Sequence, residues 1–223
     1  MKGIAVVIPA YNEAARIVGV AREAARHAEF VIVVDDGSQD GTWSAIKALP
    51  SPVISVRHPI NMGKASALKT GCAAALRLGA EIIVMMDADG QHPPSYIPRL
   101  VGYMREHRLD FVFTERAGGD HMPLIRRAGN YTINKTALYL YGLRTNDVWC
   151  GFRAVRALCL PRIMWRARDY SGEIQMALAV GRSGMSYGAY PIPAIYDAGE
   201  TKGVHILHGL KLLAQMAVWR IFN

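Results

Sequence analysis

Short β-branched runs recur along the first half of the chain, and a longer amphipathic stretch follows each of them. The runs are Ile4 to Ile8, Phe30 to Val34, Val53 to Val56, Ile82 to Met86 and Phe111 to Phe113. Between them lie Ala- or Leu-rich segments of helical length at Glu13 to Ala28, Gly41 to Leu49, Lys64 to Leu78 and Pro94 to His107. This alternation predicts βα units and a largely parallel sheet. Runs that are apolar at nearly every position suit strands covered by helices on both faces. At 223 residues, 51% of them hydrophobic, the chain can bury such a sheet in an α/β domain. In sheets of this type ligands bind beyond the carboxyl ends of the strands.

The second half is less regular. A helix is expected from Leu124 to Tyr141, a turn-rich stretch from Gly142 to Gly151, a helix around Ile174 to Val180 and short strands near Tyr187 to Tyr196. No internal repeat, low-complexity tract or linker marks a boundary, so one domain over residues 1–223 is expected, with parts 1–115, 116–205 and 206–223.

Lys and Arg number 26 against 18 Asp and Glu, a net charge of +8 that favours anionic partners such as phosphates or anionic lipid headgroups. No basic run or aromatic-basic interleaving points to nucleic acid. Cys72, Cys150 and Cys159 form no Cys-x-x-Cys pair, so neither a disulfide framework nor a zinc site is expected, and a reducing, cytoplasmic compartment fits. The N-terminal apolar run stops at Pro9, unlike a signal peptide, and no segment has the roughly 18 to 20 apolar residues of a membrane span. Ile206 to Phe222 is apolar apart from a stripe at His208, Lys211 and Gln215, with Arg220 off it. Such a helix can lie on a membrane, dock on a partner or pack on its own core.

Polar and glycine-rich residues gather just after three strands, at Tyr11-Asn12-Glu13, Asp35-Asp36-Gly37-Ser38 and Asp87-Ala88-Asp89-Gly90. Asp87 and Asp89, one residue apart, can approach one divalent cation, or a cation and a ribose; a solvated turn is the competing reading. Magnesium or manganese at a diphosphate is commonly held by few carboxylates and completed by phosphate oxygens and water. Asp36 suits a base or ribose contact, whereas Ser38, Asp40 and Thr42 suit a turn and a helix cap. Asn61-Met62-Gly63-Lys64 opens a helix, an end that already favours phosphate, and Lys64 adds charge there. Its glycine spacing is not that of a P-loop.

VVIPAYNE, VDDGSQDGT, NMGKASALKTG, DADGQHPP and DVWCGFR stand in the order found in the family 2 glycosyltransferases of the GT-A fold, which the chain resembles over nearly its whole length. DADGQHPP and CGFR look most like the polyprenyl-phosphate sugar transferases, such as dolichyl-phosphate mannose synthase and its glucose-using relatives. The resemblance implies an inverting transfer of a hexose from GDP-mannose or UDP-glucose to a polyprenyl or dolichyl phosphate. It makes residues 1–115 the nucleotide-sugar half and 116–205 the acceptor side. Pro9, Tyr11, Glu13 and Asp36 match the nucleoside pocket, Lys64 the diphosphate side, and Asp87 and Ala88 the ribose or sugar. Asp89 and Gln91 match the ligands of Mg2+ or Mn2+. Arg116 and Arg126 or Arg127 match the acceptor-phosphate region, and Lys202 a late basic residue over the phosphates. The resemblance also implies action at the cytoplasmic face of a membrane, through peripheral contact or a membrane-protein partner, on a lipid-phosphate acceptor.

A phosphate acceptor is already anionic, but a hydroxyl acceptor needs a base, for which Asp147 and Glu173 are the candidates. As alternatives, Asp147 suits a capping group and Glu173 a first-turn acid. Phe152 and Arg153 suit packing and an internal ion pair. His92, His205 and His208 lack a compact metal motif. Three other functions compete. A sugar nucleotidyltransferase is disfavoured by Pro9-Ala10-Tyr11-Asn12-Glu13 where a glycine-rich loop with Arg belongs. A glycosyltransferase acting once on a glycan hydroxyl stays open, whereas a processive synthase lacks its Gln-x-x-Arg-Trp motif here. Intact Asp87, Asp89 and Gln91 argue against a non-catalytic binding subunit.

Overall fold

The computed structural model describes residues 2–117, 124–167, 171–193 and 206–222. The apolar runs become strands β1 (Ile4–Ala10), β2 (Phe30–Asp35), β3 (Val53–Arg57), β4 (Ile82–Met85) and β5 (Phe111–Ala117). The later strands are β6 (Arg153–Arg156) and β7 (Tyr187–Pro193). Together they form one sheet in the order β3-β2-β1-β4-β6-β5-β7. Every strand is parallel to the rest except β6, which runs antiparallel to both of its neighbours. β7 lies at an edge, where Pro191 and Pro193 break no inner ladder.

Side chains alternate along each strand between two cores, because successive Cβ atoms point to opposite faces. Ala5, Val7, Ile32, Val34, Ile83 and Met85 pack with helices α3 (Lys64–Arg77), α5 (Leu124–Tyr141), α6 (Ser171–Arg182) and α7 (Ile206–Phe222). Ile4, Val6, Ile8, Val31, Val33, Ile82 and Val84 face α1 (Ile17–Ala25), α2 (Thr42–Lys47) and α4 (Ile97–Glu106). The expected two-sided α/β domain is therefore present. Each fully buried aliphatic side chain contributes roughly 1.5–3 kcal/mol. A charge on any central strand would be severe.

The structure adds one strand and corrects two expectations. The added strand is β6, to which the sequence pattern assigns no element: its four residues begin and end in arginine, which hides it from a pattern of apolar alternation. Arg153 is fully buried and makes no ion pair among the described residues. Its guanidinium donates to the carbonyls of Cys150 (2.7 Å), Val148 (2.6 Å) and Glu173 (2.8 Å) and lies over the Phe113 ring. Helix α1 starts at Ile17 and not at Glu13, because Asn12 takes φ 55° and the chain turns first. Residues 194–196 lie outside the described set.

Helix α7 packs on the protein's own core through Leu212 and Met216, and the Tyr141 hydroxyl donates to the Met216 carbonyl. Lys211, Val218 and Arg220 are exposed, and the His208 side chain is outside the described residues. No helix among the described residues is long and apolar enough to cross a membrane.

Candidate active site

The chain runs β1 to β2 to β3 in one direction across the sheet and then returns to place β4 on the other side of β1. At such a reversal the loops after neighbouring strands splay apart and leave a crevice. Asn12, Glu13, Asp35, Asp36 and Asp87 lie at this edge. Because β6 is antiparallel, Arg153 pairs with Met85, and the start of β6 brings Gly151 to the end of β4.

The loops after β1 and β2 are latched together. Asn12 N–H donates to Ser38 Oγ (3.0 Å), Glu13 N–H to Thr42 Oγ1 (2.9 Å), Ala14 N–H to Asp40 Oδ2 (3.2 Å) and Gln39 N–H to Asn12 Oδ1 (2.9 Å). Asp40 also accepts the Thr42 hydroxyl and the Thr42 N–H (2.9 Å), and the hydroxyl first, with the backbone donors, outweighs its slight burial to lower its pKa. The N-cap of α2 is Gly41, so Asp40 makes the expected turn but not the cap. Ser38 latches β1 instead of capping. Pro9 pairs in register with Val34, Tyr11 stands 42% exposed, and Glu13 lies 3.7 Å from Arg16.

Asp36 is 2% exposed. Its Oδ1 accepts Met62 N–H (3.0 Å) and its Oδ2 accepts Gly63 N–H (2.8 Å), so the carboxylate grips the loop that leads into α3.

Lys64 opens α3 and bridges two acids, with Nζ 2.6 Å from Asp87 Oδ1 and 2.9 Å from Glu173 Oε2. Burial alone would push the lysine pKa down, but the two carboxylates outweigh it and hold the ammonium charged. Burial likewise works against ionised Asp87, and Lys64, His92 and Arg153 outweigh it to lower its pKa. Gly151 faces the same cluster: a Cβ there would meet both Asp87 oxygens at 3.0 Å and Glu173 Oε1 at 3.1 Å. Buried His92 stacks on Phe152, with Nε2 3.5 Å from Cys150 Sγ and Nδ1 4.0 Å from Asp87 Oδ2.

Ala88 is buried between the two aspartates. Asp89 Oδ1 accepts Gln91 N–H (2.9 Å) across a turn at Gly90, φ 78°. Both side chains are half-buried oxygen donors, and Asp89 Oδ2 has no hydrogen bond among the described residues. No group of three or more His, Cys, Asp or Glu among the described residues is disposed to hold a metal. One carboxylate and one amide oxygen suit a hard cation that takes its remaining ligands from phosphate and water.

At the end of β5, Arg116 and Asp147 form a two-pronged pair, Nε to Oδ2 2.7 Å and Nη2 to Oδ1 3.0 Å. Glu115 accepts Thr145 Oγ1 (3.1 Å) and Asn146 N–H (2.7 Å), and Asn134 Oδ1 accepts Val148 N–H (3.2 Å), which straps residues 145–148 to β5 and α5. Arg126 and Arg127 fall near the start of α5, but their side chains lie outside the described residues, as do Lys202 and His205.

Sequence reasoning joined Asp87, Lys64 and Glu173 to no common cluster, and it missed His58 and Gly151. Gly151 lay at the end of a stretch read as a turn. His58 sits alone after β3, and only its place at the same strand ends could have drawn attention to it.

Residues 5–158 match the family described as glycosyl transferase family 2. The chain is 28% identical to a UDP-N-acetylglucosamine–dolichyl-phosphate N-acetylglucosaminyltransferase of Methanococcus voltae, over 99% of this chain and 97% of that protein. It is 31% identical to an undecaprenyl-phosphate mannosyltransferase of Micrococcus luteus, over 88% and 85%. Its fold matches that of glucosyl-3-phosphoglycerate synthase from Mycobacterium tuberculosis with a TM-score of 0.71 at 21% identity, covering 97% of this chain and 78% of that one. The fold is accordingly of the GT-A type. With the family match spanning more than half of its residues and running through the carboxylate-lined crevice, the chain belongs to glycosyl transferase family 2 and is a glycosyltransferase.

Proposed function

We propose that this chain moves a hexose from a nucleotide-diphosphate sugar, GDP-mannose or UDP-glucose, to a polyprenyl or dolichyl phosphate with inversion. The observation that carries this reading is the pairing of both candidate bases for a hydroxyl acceptor, Asp147 and Glu173. Asp147 is engaged by Arg116 and Glu173 by Lys64, at 2.7 and 2.9 Å. A carboxylate that takes a proton forfeits its ion pair, so neither is well placed as a base. A phosphate acceptor brings its own anionic oxygen and needs none. Relatives named for dolichyl- and undecaprenyl-phosphate acceptors support the same acceptor class.

In this reading residues 1–115 bind the donor. Pro9, Tyr11 and Glu13 line the nucleoside side, and Asp36 shapes it through the 62–63 loop. Asp87, Ala88 and Lys64 face the sugar and diphosphate. Asp89 and Gln91 would hold Mg2+ or Mn2+, which would supply positive charge to the diphosphate; the comparison synthase was crystallised with Mg2+ and UDP. Arg116, Arg126 or Arg127, and Lys202 take the acceptor phosphate on residues 116–205. The acceptor oxygen attacks the anomeric carbon as its bond to the nucleotide breaks. The electron pair leaves with the diphosphate, where Lys64 stabilises it, a kind of contribution commonly worth about 3 kcal/mol. Asp147 and Glu173 act by orienting Arg116 and Lys64. With its substrate in a bilayer, the chain works at the cytoplasmic face of a membrane.

The test is a donor screen with polyprenyl phosphate, with and without chelator, reading labelled lipid. Transfer to the phosphate that stops with chelator is expected. Equal rates with the free polyprenol would sink the acceptor assignment and favour a hydroxyl acceptor.

A further inference from the structure

His58 follows β3 and is 7% exposed. Its backbone N–H donates to Asp35 O (2.8 Å), which sets the ring beside the end of β2. Nδ1 lies 2.7 Å from Asp36 Oδ1, and Nε2 lies 2.9 Å from Thr70 Oγ1 on α3. A carboxylate oxygen accepts, so Nδ1 is the donor towards Asp36, and Nε2 shares the second bond with the Thr70 hydroxyl. One side chain thus joins the anchor of the 62–63 loop to the helix that this loop begins.

The loop leaves little room for adjustment. Gly37 has φ 72°, and a Cβ on it would stand 2.4 Å from the Ile60 carbonyl carbon, so residues 60–61 press directly on the Asp36-Gly37 turn. Gly63, at φ 93°, then turns the chain into α3. The next residue is Lys64, whose ammonium meets Asp87 and Glu173. An error in the Asp36 rotamer would move the Met62 and Gly63 amides, and with them the start of α3.

We propose that His58 is a positioning residue for sugar transfer: it fixes Asp36, which holds Met62 and Gly63 so that α3 starts where Lys64 can face the donor diphosphate. This rests on the donor-site reading above. His58 touches neither the reacting atoms nor the three-residue charge cluster; its effect passes through Asp36.

Two substitutions divide the ring's two bonds. Asn in place of His58 keeps an N–H near the Nδ1 position and gives up Thr70. Gln reaches towards Thr70 and gives up the donor to Asp36. A merely structural histidine would make the two variants lose order and stability alike.

The proposal is tested by hydrogen exchange of residues 59–66 in the unliganded protein. Exchange in His58→Asn should stay within about 3-fold of wild type, and in His58→Gln it should quicken by about 10-fold or more. Thr70→Val, which removes only the second bond and spares the ring, should behave like His58→Asn. Affinity for UDP and for GDP in the presence of Mn2+ should fall about 10-fold further in His58→Gln than in His58→Asn, with turnover at saturating donor changed less than about 3-fold. Equal exchange in the Asn and Gln variants, or an unaffected loop in His58→Gln, overturns the proposal. A wild-type protein that binds neither nucleotide overturns the donor-site reading instead, while loop exchange still decides the role of His58 in holding Asp36.

Discussion

The ammonium of Lys64, at the first position of α3, lies 2.6 Å from Asp87 Oδ1 at the end of β4. Glu173, from the first turn of α6, completes the cluster at 2.9 Å. Two carboxylates therefore share one lysine in a setting where each side chain is less than a quarter exposed. Lys64→Met leaves the acids facing one another with that cation gone. The expected cost is about 3 kcal/mol of stability, the usual scale for removing one partner of a largely buried pair. A fall of about 100-fold in kcat/KM for the donor is expected beside it. Urea unfolding and steady-state kinetics measure the two losses separately.

Asp89 is a half-buried residue whose Oδ1 closes a turn with Gln91 and whose Oδ2 has no hydrogen bond among the described residues. Asp89→Ala should reduce transfer by about 1,000-fold or more, since it removes the sole carboxylate of the proposed ion site. Melting temperature should change by only a few degrees, on the order expected for one turn bond. A folded variant that turns over normally would refute the metal role.

Gly151 has an ordinary backbone conformation, so Ala there meets steric trouble alone. Its methyl would press on Asp87 at 3.0 Å and on Glu173 at 3.1 Å. Gly151→Ala is expected to lower kcat by about 10- to 100-fold while costing roughly 1 to 2 kcal/mol in stability. Gly102, around which a Cβ meets nothing within 4 Å, is the matched control.

Asp110 joins β5 to the start of β7. Its Oδ2 accepts both the N–H and the hydroxyl of Ser186 at 3.0 Å. Slight burial pushes its pKa up, but the Ser186 donors, with Cys159 and Arg156 nearby, outweigh it and hold the carboxyl below the ordinary 3.8. A depressed carboxylate stabilises the fold above the unfolded value, and that contribution fades as pH falls through the folded one. Asp110→Asn should therefore cost about 1 kcal/mol at pH 7, with the gap to wild type narrowing below about pH 4. Urea titrations across that range measure it; a gap constant with pH would mean that the charge contributes nothing.

Much of the fold was legible because its signals are local. The runs around β1, β2 and β4 are apolar at both parities, as strands between two helical layers must be, and the helices that follow them carry their own 3.6-residue stripes. The polar clusters after β1, β2 and β4 could be assigned to one edge because parallel strands end on the same side. β6 was not legible. Its antiparallel pairing depends on partners about 40 and 70 residues away, and arginines at both of its ends mask the pattern. Arg153 read as half of an ion pair, since sequence alone does not reveal three backbone carbonyls converging on one guanidinium.

By itself, then, the sequence determined the layered α/β architecture, the acidic edge of the sheet and the family that this order of motifs belongs to. Tertiary structure decided which charges meet. Asp36 turned towards Met62, Gly63 and His58, Lys64 came between Asp87 and Glu173, Arg116 closed on Asp147, and α7 settled on the protein's own core. The reason is physical: periodicity and turn chemistry act over a few residues, whereas an ion pair forms wherever the packing of distant elements leaves two opposite charges within reach and partly hidden from water.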